Sequence, residues 1–263
     1  MSFKTLQIKT RSKGVTEIMM SRPEVFNAFD ETMIEELQEA FLKANEDSSL
    51  RAIILSGSGK HFSAGADLQW MQRASNASEE WNLQDARKFA TMLQTIEQSH
   101  LPTIAKIQGA ALGGGVGLTL ACDIAIASED ANFSISEAKF GILPSVIGPY
   151  LINGVGKRQA KRLALTTAKI SAIEALAINL VHQVCAKDDL DAAIDQVVRD
   201  LLKSGPNSII EIKALFSELS IGPITPEVIE LTAKTISRVR STVEAKEGFD
   251  AFMSKRDAKW IPQ

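Results

Sequence analysis

The sequence predicts an α/β protein that ends in a helical region, on three observations. Short apolar runs that read as buried strands alternate with amphipathic helical segments as far as about Cys185. One of these alternations, from Thr103 to Leu118, passes through three consecutive glycines, Gly113-Gly114-Gly115, at a strand-to-helix turn. From Asp188 onward helical patterning dominates, punctuated by Pro206, Pro223 and Pro226. The chain has 263 residues, 45% of them hydrophobic, enough for one large core or a core with an appendage. The expected division is a core over residues 1–205 and a helical region over 206–263.

Phe3 to Lys9 and Val15 to Ser21 read as strands around a turn at Ser12-Lys13-Gly14, a hairpin signal. Ser21-Arg22-Pro23-Glu24 breaks the second strand. Asp30 is a good N-cap for a helix whose apolar face carries Met33, Ile34, Leu37, Phe41 and Leu42. Arg51 to Leu55 has the pattern of a buried strand, closed by Ser56-Gly57-Ser58-Gly59. An irregular stretch follows, His61 to Leu68, and then a polar, mobile piece from Ser75 to Ser78. A helix runs from about Glu79 to Gln98. Pro102 separates it from a strand over Thr103 to Ile107. The glycine run leads into an apolar helix that ends near Cys122-Asp123.

Asp123 to Ala127 and Ala131 to Ile135 are further extended pieces. Tyr150 to Val155 and Arg158 to Thr166 read as helices split at Gly156. Ser171 caps a helix over Ala172 to Ala177, and Val181 to Cys185 is a strand. No internal repeat is visible.

The net charge of −3, without a basic stripe, points away from nucleic acid. No apolar run approaches the roughly 20 residues of a membrane span. The opening Met-Ser-Phe-Lys-Thr lacks the apolar segment of a signal peptide, so a cytoplasmic location is expected. Cys122 and Cys185 read as buried free thiols. His61, His100 and His182 lack metal-ligand spacing, so no metal is expected.

Two small-residue turns suit close backbone approach. Glycines before a helix leave N–H groups free to donate, and Gly114 offers one such donor. Aimed at a carbonyl oxygen, it would stabilise charge developing there. The other reading is close packing of a helix on a sheet. Ala64-Gly65-Ala66 is equally fit for a ligand or for a tight connection. Glu137 stands among Phe133, Ile135, Phe140 and Ile142. Apolar surroundings disfavour its charged form and suit it to proton transfer. The alternative is a glutamate stabilised by a helix dipole. Trp70 and Trp81 read as packing residues or as contacts to a ligand. Asp123 reads as a cap or an orienting group for the strand after the glycine helix.

Taken in order, several segments resemble the crotonase superfamily, the enoyl-CoA hydratases and isomerases. They are Ser21-Arg22-Pro23-Glu24 through Asn27-Ala28-Phe29, His61 to Leu68, Ile107 to Gly115, Ala121-Cys122-Asp123, Glu244 to Phe252, and Lys255-Arg256. The resemblance implies a spiral of β-β-α units and a C-terminal helical region used in trimer contacts, with trimers pairing into hexamers. It implies an oxyanion hole from the N–H groups of Ala66 and Gly114, with Glu137 as acid and base. Ala64, Asp67, Leu68 and Gly113 would line the coenzyme A path, with Arg22, Val25 and Ala28 nearby. Phe252 and Lys255 match an aromatic residue and a lysine that reach the coenzyme A of a neighbouring subunit. Local cations of this kind would let an acidic protein hold an anionic ligand. No cofactor is implied beyond the coenzyme A of the substrate itself.

One departure stands out. Two-glutamate hydratases of the family carry a second glutamate two residues after the triple glycine, where this chain has Gly117. One carboxylate suffices for hydration if water and proton arrive on the same face, and also for double-bond migration. The segment Ser136 to Tyr150 resembles methylglutaconyl-CoA hydratase-like proteins. The expectation is an enoyl-CoA hydratase, with 3-methylglutaconyl as a candidate acyl group. The alternatives are a Δ3,Δ2-enoyl-CoA isomerase and an acyl-CoA-binding protein without turnover.

Overall fold

The computed structural model describes residues 3–11 and 14–262; Ser12 and Lys13 of the expected hairpin turn lie outside them. The two flanking strands, β1 (Leu6–Arg11) and β2 (Val15–Met20), pair antiparallel with Leu6 opposite Met20. Helix α1 (Glu31–Glu46) starts where Asp30 accepts the Met33 N–H at 3.0 Å. It buries Met33, Ile34, Leu37, Ala40, Phe41 and Ala44. Leu42, expected on that face, is exposed. At about 100° per residue, one step past Phe41 leaves the stripe.

Strand β3 (Ala52–Gly57) is buried at every position, as a parallel strand covered on both faces must be. Two helices follow, α2 (Leu68–Ser75) and α3 (Glu79–Glu97). Helix α2 falls between the irregular stretch and the polar piece, where no element was expected. Its polar run buries only Trp70, but the Asp67 carboxylate accepts the Gln69 and Trp70 N–H groups and starts the turn. Next come β4 (Thr103–Ile107), β5 (Ala110–Leu112) and α4 (Gly114–Ala121). They are followed by β6 (Ile124–Ser128), β7 (Asn132–Ser134) and α5 (Gly148–Thr166). Gly156 interrupts α5 with φ 74°, the expected split. Then come β8 (Ile170–Ser171), α6 (Ala172–Ala177) and β9 (Gln183–Cys185). Four helices close the chain: α7 (Leu190–Lys203), α8 (Pro206–Glu218), α9 (Pro226–Arg240) and α10 (Val243–Met253).

Six strands form one sheet in the order β1-β2-β3-β4-β6-β9, parallel except for the first pair. After each inner strand the chain turns into a second, smaller layer before entering a helix. There, Phe29 bridges Ala66, Ser63 bridges Ala111, and β5 pairs β7, which pairs β8. This is a strand–strand–helix repeat, although the sequence shows none. The second strand of each unit contributes three residues or a single bridge, too short to leave a period-2 signature.

The large sheet separates two cores. Val15, Ala52, Ile54, Ile104 and Ile126 face α7, while Ile18, Ile53, Leu55, Ala105 and Ala127 face the helices of the spiral. Alternate residues of one strand thus serve opposite layers. Helices α8 and α9 bury no residue. The Lys213–Asp123 ion pair ties α8 to the core, and Asp123 also accepts the Thr103 N–H at 2.8 Å. Asp123 is therefore the orienting group that its position suggested.

The turn after β2 depends on Asn27, which is fully buried with φ 54°. Its amide donates to Ser58 O and His61 O, both at 2.8 Å, and accepts the Arg22 N–H. Asn27→Ala leaves these groups unpaired in the interior. It is expected to cost on the order of 3 kcal/mol of stability, read from urea denaturation.

Candidate active site

The start of α4 is open because of where glycine puts the chain. Gly113 has φ 50° and ψ −117°, and its N–H donates to Ser134 O at 2.8 Å. The N–H of Gly114, the first helical residue, has no acceptor among the described residues. Ala66 is in the same condition for a different reason. Its bridge to Phe29 uses the Gly65 carbonyl and the Asp67 N–H, on either side, which turns the Ala66 N–H the other way. The two turns touch: a Cβ on Gly65 would stand 2.5 Å from Leu112 O and 3.5 Å from Gly114 N.

Glu137 arrives from the other side. It opens a one-turn 3-10 helix, Glu137–Phe140, just after β7. A Cβ on Gly113 would lie 3.1 Å from its Oε1, and its Oε2 is buried without a hydrogen-bond partner among the described residues. Burial holds its carboxyl above the usual carboxylate range. The backbone N–H groups of Glu137 and Ser136 pull the other way and do not win. No charged neighbour enters into the shift. Desolvation therefore outweighs any dipole from so short a helix.

Two unpaired N–H groups and one desolvated carboxylate meet at the head of a glycine-led helix. The sequence model that describes enoyl-CoA hydratase/isomerase matches residues 10–263. The chain belongs to the enoyl-CoA hydratase/isomerase family. It is similar to the crotonyl-CoA hydratase of Syntrophomonas wolfei, 31% identical with 97% of each chain covered. It is 32% identical to the peroxisomal Delta(3,5)-Delta(2,4)-dienoyl-CoA isomerase of Arabidopsis thaliana, covering 98% of each. Among solved structures, an enoyl-CoA hydratase from Shewanella pealeana superposes with a TM-score of 0.94 at 37% identity. The match covers 98% of this chain and 96% of that one.

Family membership leaves the second glutamate position to be explained, and packing explains it. A Cβ on Gly117 would stand 2.5 Å from Ile147 Cγ2 and 3.5 Å from Leu93 Cδ1. Ile147, only 2% exposed, fills that space. The sequence gives no signal for Ile147 itself; Gly117 was the one hint that a neighbour fills the gap. Phe29 and Phe89 back Gly114 in the same way. Trp70 is buried against both rings, with its Nε1 donating to Asp85 at 3.2 Å, so packing is its role. Trp81 is partly exposed.

The remaining expected site residues fall in two places. Ala64 is half-buried, Ala28 is buried, and Val25 ends a short 3-10 turn; all belong to the two segments that cross at Ala66. Leu68 is 74% exposed beside them. Arg22 turns inward, with ion pairs to Asp30 and Asp67 at 3.1 Å each and a hydrogen bond to Ala28 O. Its charge, and that of Asp67, are thus already matched within the chain. Phe252 and Lys255 are not brought to the site of their own chain. Trp260, just past α10, sits at the beginning of β3, where its carbonyl accepts from Arg51 at 3.3 Å. The site lies beyond the other end of that strand, about 20 Å away along the rise of an extended chain.

Because folding raises the pKa of Glu137, its ionisation opposes folding as pH rises through that raised value. Below the ordinary carboxylate range the penalty is absent. Glu137→Gln is expected to raise the melting temperature at pH 8, with the gain shrinking in thermal scans at progressively lower pH. A variant less stable than the parent at pH 8 would contradict this.

Proposed function

We propose that the chain is an enoyl-CoA hydratase that works with a single carboxylate. The observation that carries the reading is the unpartnered, buried Oε2 of Glu137 beside two unpaired N–H groups. In this reading the thioester oxygen of an enoyl-CoA accepts from Ala66 and Gly114. Glu137 takes a proton from water as the water oxygen bonds C3, and the π electrons shift onto the thioester oxygen. Glu137 then gives that proton to C2 on the same face and is restored as a carboxylate. Each N–H that holds the transient oxyanion is worth about 3 kcal/mol of barrier. A pKa already lifted by burial makes Glu137 a stronger base toward water than a solvated glutamate and brings it nearer the operating pH.

Ala64, Asp67, Leu68, Gly113, Arg22, Val25 and Ala28 are proposed to line the coenzyme A path. Arg22 and Asp67 would act by shape and backbone, since their charges are paired with each other. The cation for the phosphates is then Lys255 of a second copy, with Phe252 beside it; Phe252 is 81% exposed. This assigns residues 1–205 to the catalytic core and 206–263 to a helical region that joins copies into a trimer. Exposed Ile212, Phe216, Ile229 and Ile236 on α8 and α9 support that assignment. The acyl group proposed from the segment around Glu137 is a branched one such as 3-methylglutaconyl.

A second reading, double-bond migration between C3 and C2, is favoured by the same closure of Gly117 by Ile147, because a one-base shift needs no second acid. Mixing the protein with crotonyl-CoA or 3-methylglutaconyl-CoA is expected to bleach the conjugated-thioester absorbance. Glu137→Gln is expected to slow this about a thousandfold. Inertness toward both, with new absorbance from a 3-enoyl-CoA, would make the protein an isomerase. Sedimentation equilibrium is expected to give three times the 28.5 kDa chain mass, or a multiple of that; a monomer would remove the partner's lysine from the site.

A further inference from the structure

The face of α4 that carries the reaction continues past the carboxylate. Gly113, the N-cap of α4, lies one turn before Gly117, whose N–H donates to Gly113 O at 3.3 Å. Residues four apart share a helix face, with about 5.4 Å between them along the axis. Glu137 covers the first of these glycines and Ile147 the second. An acyl group whose reacting carbons lie beside Glu137 would have Ile147 one helical turn farther along this face.

Ile147 has little room to yield. Its carbonyl accepts the Leu151 N–H at 2.9 Å in the first turn of α5, and its methyl fills the hole that Gly117 leaves. Farther along, the roles of the helices reverse: a Cβ on Gly154 of α5 would stand 2.5 Å from Leu120 Cδ2 of α4. Helices α4 and α5 are thus keyed together by a large side chain entering a glycine gap in each direction. Leu93 of α3, fully buried, closes the remaining side.

We infer that Ile147, seated in the gap at Gly117, is the wall that limits the size of the acyl group beside Glu137. This rests on the acyl-CoA reading above and adds a specificity-determining residue to it. Trimming the side chain would leave a cavity contiguous with the reacting carbons, and longer acyl groups would gain relative to short ones.

The test compares kcat/KM for hexenoyl-CoA and crotonyl-CoA in the full-length protein. Ile147→Ala is expected to raise the hexenoyl-to-crotonyl ratio about tenfold, the usual scale for a methylene-sized change in an apolar site. Ile147→Val is expected to move it in the same direction by about threefold. Circular dichroism and a thermal scan establish which variants are folded; if Ile147→Ala is not, Ile147→Val decides. A folded variant whose ratio stays within about twofold of the parent overturns the inference and leaves the enzyme reading standing. A parent protein that neither binds nor turns over either thioester brings down both.

Discussion

The structure turns on the close contact between the head of α4 and the three segments around it. Gly113 meets Glu137, Gly114 meets Phe29 and Phe89, and a Cβ on Gly115 would stand 2.7 Å from Ser63 O. Gly114 and Gly115 have no space for a methyl group, and Gly113 is held to glycine by its φ of 50°. The contact closes the spiral, because it is where segments following β2, β3, β4 and β6 converge. It also makes the site, because only a chain without side chains can bring the N–H of Gly114 up to the Ala64–Ala66 turn. Fold and chemistry therefore rest on one packing constraint, and a substitution that relieves it damages both.

Strain is concentrated near the same place. Phe26 and Asn27 are consecutive non-glycine residues with φ near +55°. Such conformations cost on the order of 1 to 3 kcal/mol each. The four hydrogen bonds of the buried Asn27 amide offset this, and the result is a bend sharp enough to bring Phe29 beside Ala66. Without that bend the Ala66 N–H would have no bridge to turn it outward.

The charges are arranged economically. Arg22 is shared between Asp30 and Asp67, and Arg11 and Lys106 pair with Glu17, Asp191 and Asp195 between the sheet and α7. Among the described residues, Glu137 has no ion-pair partner, whereas Asp67 has Arg22. A paired carboxylate is held in its ionised form; a desolvated one takes up a proton more readily. The isolation of Glu137 is therefore a property of its burial, with no charged group entering into its shift.

The sequence by itself determined the layered α/β class, the N-caps Asp30 and Ser171, the break at Gly156, and the glycine-led helix. Each is a local preference, expressed over a few neighbouring residues. Glu137 was legible as a carboxylate in apolar company, but the winner between burial and dipole was not. That depended on how much of the chain closes over it. Tertiary structure alone decided the second strand layer, built from pairings of one to three residues. It alone turned Arg22 inward, sent Phe252 and Lys255 away from their own site, and set Ile147 against Gly117. These outcomes are contacts between segments far apart in the chain, and no local pattern of residues encodes which partner a glycine gap will receive.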